Sequence, residues 1–309
     1  MGLAAPARAV IVLGGRDATG ALNNSGQNSN PAPSNLGSYV GTWGDFLGTP
    51  IAPQYFITAN HIGDGGSGGV FTYSDGGATP IVYTATLVGT KDDLAIWKIS
   101  TGPAFTHYAP LYTGSGEKTL SLIDIGRGTP RGTVVNTPST STPAGWNWAT
   151  ANPLHPTTWG ANTVADIATF TSPPAGLGGD FLKWTFNNNA NPDTGILSVG
   201  DSGGPTFIFN AASSRYELAG VSSTVDEVST QSDPNSQFLL QAALYDARGF
   251  YDGTTLLANA NPIALSSYST RISSRLSFID SVTGVPEPGV CMLIFGMAGA
   301  SCHRRRRLQ

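Results

Sequence analysis

Hydrophobic positions along this chain come in short bursts. "YFITA" at 55–59 and "LAIWKI" at 94–99 are near-continuous apolar runs of strand length. "LAGVSSTV" at 218–225 is another strand-like stretch. Polar clusters rich in Gly, Pro, Ser, Thr and Asn separate such runs, and 39 glycines and 21 prolines supply the turns. The pattern predicts many short strands and an all-β fold. A helical period emerges only near the end, in "SSYSTRISSRLSFIDSV", where Ile272, Leu276 and Ile279 share one face. It predicts a helix over 266–282. "NNSGQNSNPAPSN" at 23–35 reads as a surface loop.

With 309 residues the chain is long enough for a large core. Only 12% of its residues are charged, and four of its 16 basic residues are Arg304 to Arg307. The remaining body is mildly acidic and offers no basic face to a phosphate backbone, so nucleic acid is not an expected partner. Both cysteines, Cys291 and Cys302, lie at the C-terminal end, which leaves the body without disulfides or thiolate metal ligands. No clustered carboxylate loop suggests calcium, and no metal or cofactor is expected. "GDGGSGG" at 63–69 fits a nucleotide-loop spacing by letter but lacks the strand–turn–helix context, and reads as a flexible loop.

"GDSGGP" at 200–205 raises the possibility of a reactive serine, Ser202. A serine hydroxyl needs a base in reach and an acid that orients the base. The chain has four histidines, His61, His107, His155 and His303. A nucleophile elbow of the α/β-hydrolase type needs a histidine after the serine, and only His303 in the basic tail follows Ser202. The order His, Asp, Ser fits instead. His61 ends the run at Tyr55–Ala59, and Asp93 precedes the run at Leu94–Ile99. "TANH", "DLAI" and "GDSGGP", in this order, resemble the signatures of the chymotrypsin/trypsin-like serine proteases over roughly residues 36 to 280.

The resemblance implies two packed six-stranded antiparallel β-barrels with a short C-terminal helix. Barrel 1 would cover about 36–125, barrel 2 about 126–262, and the whole protease domain 10–280. It implies Ser202 as nucleophile, His61 as general base and Asp93 as its orienter, although Asp92 stands beside it. The backbone N–H groups of Gly200 and Ser202 would form an oxyanion hole, and Gly203 and Gly204 would leave room for substrate. Ile196 would line the floor of the primary specificity pocket, with Ser223 and Val225 on its wall. That set predicts a small or medium apolar residue at P1, the residue whose carbonyl is attacked. Ser198 stands where the family commonly has a cysteine. "VIVLGGRDA" at 10–18 resembles the start of mature chains in this family, whose free amine pairs with the aspartate before the nucleophile, here Asp201. Cleavage after Ala9 would expose Val10. The alternative is that Asp201 pairs internally and this segment is only an edge strand.

Residues 284–309 combine "VPEP", an apolar stretch and the arginine cluster, and resemble a PEP-CTERM sorting tail. The resemblance implies export, a membrane-resident exosortase-type enzyme as tail-processing partner, and transient insertion of the tail in the membrane. Residues 1–9 carry Ala7 and Ala9 like a signal-peptide cleavage site and read as a residual signal-peptide-like segment. The expected whole is an exported, monomeric serine endopeptidase of the cell envelope, cell surface or extracellular matrix, acting on polypeptides. The alternative is a surface or matrix binding protein on a non-catalytic protease scaffold.

Overall fold

The computed structural model describes residues 10–284 apart from 67, 78, 139, 150–155, 171–177 and 236. The sorting-tail motif, both cysteines, His155, His303 and residues 1–9 lie outside the described residues.

Strand β1 (Ile11–Val12) opens the described chain. A closed six-stranded barrel follows, made of β2 (Gly41–Trp43), β3 (Phe46–Ala52), β4 (Tyr55–Ala59), β5 (Val70–Tyr73), β6 (Ile81–Lys91) and β7 (Leu94–Ile99), in the order β2-β3-β4-β7-β6-β5. The apolar runs of β4 and β7 are continuous because both faces of these strands are buried. Phe56, Ala95, Trp97 and Ile99 point into the barrel, where they join Trp43, Phe71, Tyr73, Tyr83 and Phe105. Ile57, Ala59, Leu94 and Ile96 point outward into a second core, shared with the other half of the molecule.

That half contains β8 (Ser121–Gly126), β9 (Arg131–Asn136), β10 (Pro143–Trp148), β11 (Thr158–Thr163), β12 (Asp166–Phe170), β13 (Gly179–Thr185), β14 (Gly195–Ile196), β15 (Pro205–Asn210), β16 (Arg215–Val225), β17 (Val228–Ser229), β18 (Leu239–Leu240), β19 (Ala242–Leu244), β20 (Tyr251–Asp252), β21 (Thr255–Leu256) and β22 (Ser266–Arg271). Seven of these strands form one antiparallel sheet in the order β11-β8-β15-β16-β22-β13-β12, and β19-β10-β9 form another. The described strands form no second closed barrel. The large sheet curls instead, and the Asn162 side chain on β11 donates to the carbonyls of Thr185 on β13 and Gly195 on β14 at 3.0 and 2.9 Å. A side-chain bridge stands where a barrel would carry a hydrogen-bond ladder.

The closed barrel ends at Ile99, and the strand at 121–126 already belongs to the other half. The predicted helix also shortens. Residues 266–271 are the central strand β22, flanked by β13 and β16, and the helix α1 covers only Leu276–Thr283. The buried serines and threonine of β22 pack closely between two strands, where hydroxyls find neighbouring partners, as Ser269 does with Thr206 at 2.7 Å. Ile272 and Ile279 keep their predicted common face and reach the shared core. No helix among the described residues is long and apolar enough to cross a membrane.

The barrel interior is held by ring packing. Phe71 stacks on Phe56 at 4.0 Å and meets Phe105 edge-on at 6.0 Å. Phe71→Ala is expected to lower stability by about 3–5 kcal/mol, measured by denaturant unfolding, because the close-packed rings cannot collapse into the space.

Candidate active site

His61 sits in a single 3-10 turn, Asn60–Ile62, directly after β4. Asp93 lies at the tight reversal between β6 and β7, whose neighbouring residue Asp92 has φ of +54°. β4 and β7 pair directly, with Ala59 opposite Leu94, so the barrel brings the two side chains together by register. Ser202 lies in the turn between β14 and β15, in the other half.

The fold brings the three side chains into one line. Asp93 accepts from His61 Nδ1 at 2.9 Å and from the His61 backbone N–H at 2.9 Å. His61 Nε2 lies 2.9 Å from Ser202 Oγ. With Asp93 ionised, Nδ1 carries the ring proton, which leaves Nε2 as acceptor for the serine hydroxyl. Asp93 is fully buried, and the Ser223 hydroxyl donates to its Oδ2. Asp92, the neighbouring alternative, turns away and pairs with the buried Arg275 at 3.0 Å.

Around the nucleophile, the turn is fixed by Asp201. Its buried carboxylate accepts the N–H groups of Gly128 and Ser198, each at 2.7 Å, and the Ser198 hydroxyl at 3.1 Å. The N–H of Val10 also reaches it. Ser198 thereby ties the loop with hydrogen bonds, and its hydroxyl also donates to the Thr129 carbonyl at 2.8 Å. The Val199 carbonyl accepts from the Thr129 N–H at 2.9 Å. Because the 199–200 peptide is planar and trans, this aims the Gly200 N–H in the opposite direction, on the side of the cleft that Gly200 lines. Among the described residues, neither the Gly200 nor the Ser202 N–H has an internal acceptor.

Gly203 and Gly204 have a packing role here. A Cβ on Gly203, whose φ is +80°, would lie 2.2 Å from Thr58 Oγ1 and 2.3 Å from the Leu47 carbonyl of the barrel. One on Gly204 would lie 2.1 Å from the Ile125 carbonyl. Gly203 thus lets the turn that carries Ser202 dock against the barrel, and Gly204 lets it pack against β8.

The cleft at Ser202 has a volume of about 330 Å³ and is lined by Phe46, Leu197, Val199, Val225 and Glu227 together with the residues above. Val225 and Ser223 line it. Ile196 does not. It is fully buried, pairs with Ile11 across β1–β14, and packs with Phe186 and Leu244, so its side chain cannot serve as a pocket floor. His107 is held away from the cleft, stacked on Tyr39 at 4.3 Å with Ser38 Oγ 2.9 Å from its Nε2.

Two features escape the motif reading. Glu227, just past β16, lines the cleft. Asp124, in the middle of β8, is fully buried, and among the described residues neither of its carboxylate oxygens has a hydrogen-bond partner. A single acid inside the apolar run "LIDI" was the available signal. A Cβ on Gly160 would lie 3.0 Å from Asp124 Oδ1 and 2.9 Å from Val10 Cγ1, so Asp124 sits against Val10 beside Asp201. Burial, reinforced by the Asp201 charge, pushes the Asp124 carboxyl up to about 7, and burial pushes Asp201 up to about 6. Among the described residues no group of acids, histidines or cysteines is arranged to hold a metal ion.

No family model matches the chain, and no curated protein matches it. Among solved structures it is similar to the passenger domain of Plasmid encoded toxin, an autotransporter enterotoxin from enteroaggregative Escherichia coli. The identity is 15% and the TM-score 0.43, over 81% of this chain and 23% of that one. The chain thus spans less than a quarter of that structure's length.

A buried carboxyl raised in this way holds its proton longer in the folded than in the unfolded state. Stability therefore falls as pH rises from the unfolded value, near 4, to about 7, and levels off above it. Asp124→Asn in the full chain removes that penalty. Urea unfolding is expected to show a gain on the order of 3 kcal/mol at pH 8 and almost none at pH 4.

Proposed function

We propose that this chain is a serine endopeptidase of the chymotrypsin/trypsin-like kind, which hydrolyses peptide bonds through an acyl-enzyme. The single observation that carries the reading is the hydrogen-bonded line from buried Asp93 through His61 to Ser202 Oγ. His61 takes the hydroxyl proton as Oγ attacks the scissile carbonyl, and returns it to the leaving amine. Water then attacks the acyl-enzyme by the same relay. Asp93 holds the ring in the required tautomer and stabilises the imidazolium. The Gly200 and Ser202 N–H groups, free of internal acceptors, are aimed at the developing oxyanion, where each such donor contributes about 3–4 kcal/mol.

Leu197, Val199 and Val225 give the cleft an apolar lining suited to a small or medium apolar P1 side chain. The substrate backbone would add to the open edge of β16. This strand pairs with β15 as far as Val221, and Ser222 is bonded to Gly203 and Gly204, so residues 223–225 face the cleft on one side. The proposal includes activation by cleavage after Ala9. The Val10 N–H already reaches Asp201, and as an ammonium it would help neutralise Asp201, which otherwise has only backbone and hydroxyl donors, and the nearby Asp124. Export, tail removal by an exosortase-type enzyme and monomeric action at the cell surface belong to the same reading, on the strength of the tail motif in the sequence.

The test is active-site labelling with a fluorophosphonate, which reacts quickly only with an activated serine. The full chain and a form beginning at Val10 should both label at Ser202, the second faster, and Ser202→Ala should not label. Asp93→Asn should lower peptide turnover by roughly 10⁴-fold with the fold intact by circular dichroism. A folded protein that stays unlabelled in both forms overturns the reading and leaves a binding protein on this scaffold.

A further inference from the structure

A second cavity opens beside the cleft, with a volume of about 510 Å³. Thr224, Val225 and Glu227 line both, so the two form one depression divided by the end of β16. Its wall is apolar and aromatic, from Phe170, Leu257, Leu265 and the ring of Tyr268. Three carboxylates, Asp226, Glu227 and Asp252, and one ammonium, Lys183, complete the lining. Asp226 is engaged, accepting the Tyr268 hydroxyl at 2.7 Å and the Ser266 N–H at 2.9 Å. Lys183 Nζ lies 5.7 Å from the Tyr268 ring centroid. Glu227 and Asp252 are exposed and have no hydrogen-bond or ion-pair partner among the described residues.

An apolar trough edged by two free carboxylates suits a ligand with a hydrocarbon stem and a cationic head. Lysine and arginine side chains have that form, and aromatic faces in the wall add cation–π attraction. The location narrows the source. A peptide strand laid along the open edge at 223–225, with its scissile carbonyl at Ser202 Oγ, runs past Thr224 and Val225 and arrives at this cavity. Alternate side chains of an extended strand point to one side, so one residue before P1 would present its side chain there.

We propose that this cavity is a substrate subsite that takes a lysine or arginine side chain from the acyl side of the scissile bond, held by Glu227 and Asp252. The inference rests on the peptidase reading and extends it from an apolar P1 to a basic residue further along the substrate. Although Glu227 is exposed, partial desolvation at the cavity wall raises its carboxyl above the ordinary glutamate range, and an arriving cation would bring it back down.

Binding can be measured without turnover in the Ser202→Ala full chain, by fluorescence anisotropy of peptides with an apolar P1. Lysine replaces alanine, one position at a time, at the second, third and fourth residues before the scissile bond. At one of these positions lysine should tighten binding by roughly three- to tenfold at low salt, and the gain should shrink as salt rises. The gain should vanish in the Glu227→Gln/Asp252→Asn double variant. Equal affinity for lysine and alanine at all three positions overturns the subsite, and so does a gain that survives the double substitution. Fluorophosphonate labelling of the wild-type chain separates the two readings. Labelling without a lysine preference removes the subsite alone, whereas no labelling and no peptide binding removes both.

Discussion

The Asp93 carboxylate is the point on which the arrangement depends. A fully buried charge is tolerated only when its oxygens are hydrogen-bonded, and this one draws its donors from both halves of the molecule. His61 supplies two N–H groups from the barrel, and Ser223 supplies a hydroxyl from β16 of the large sheet. If the halves separated, the ion would lose Ser223 and its shelter together. The electrostatic requirement of one side chain is thus also a docking requirement for two sheets.

Apolar packing provides the bulk of that docking. Ile57, Ala59, Leu94 and Ile96 on the outside of the barrel meet Ile123, Ile125, Phe207, Leu218 and Val221 of the sheet in one core. Ile272 and Ile279 close the same core from the C-terminal end. Arg275, at the start of α1, adds a specific tie. It is buried, donates to the Asp180 and Gly178 carbonyls, and pairs with Asp92. Asp92 is therefore anchored to the segment that starts α1, which stiffens the reversal that carries Asp93. Gly203 allows the turn that carries Ser202 to approach the barrel within this interface. Precise alignment of Ser202 with His61 follows from packing on all sides of it.

Asp124 and Asp201 show the opposite condition. Asp201 has its neighbours' N–H groups, but Asp124 has no hydrogen-bond partner among the described residues, and the two repel each other in a dry site. Such an arrangement costs stability at neutral pH.

Much of this was legible in the chain itself. The strand runs at 55–59 and 94–99, the scarcity of helical period, and the order of His61, Asp93 and Ser202 follow from local pattern and from chemistry that needs those residue types. That both faces of these runs are buried came from the fold, which sets one face in the barrel and the other in the shared core. Other features depended on partners distant in sequence. Only the sheet decides that 266–271 is a strand, since its hydroxyl residues carry no periodic signal and are chosen by the two strands beside them. Curling without ladder closure rests on Asn162 reaching across to Thr185 and Gly195. Ile196 lies six residues before Ser202, yet its pairing with Ile11 hides it, while Glu227 reaches the cleft from another strand end. The residue types needed for the chemistry are a local property, written one position at a time. Which side chains face one another across a cleft is set by register and packing between segments, and only the folded chain brings those together.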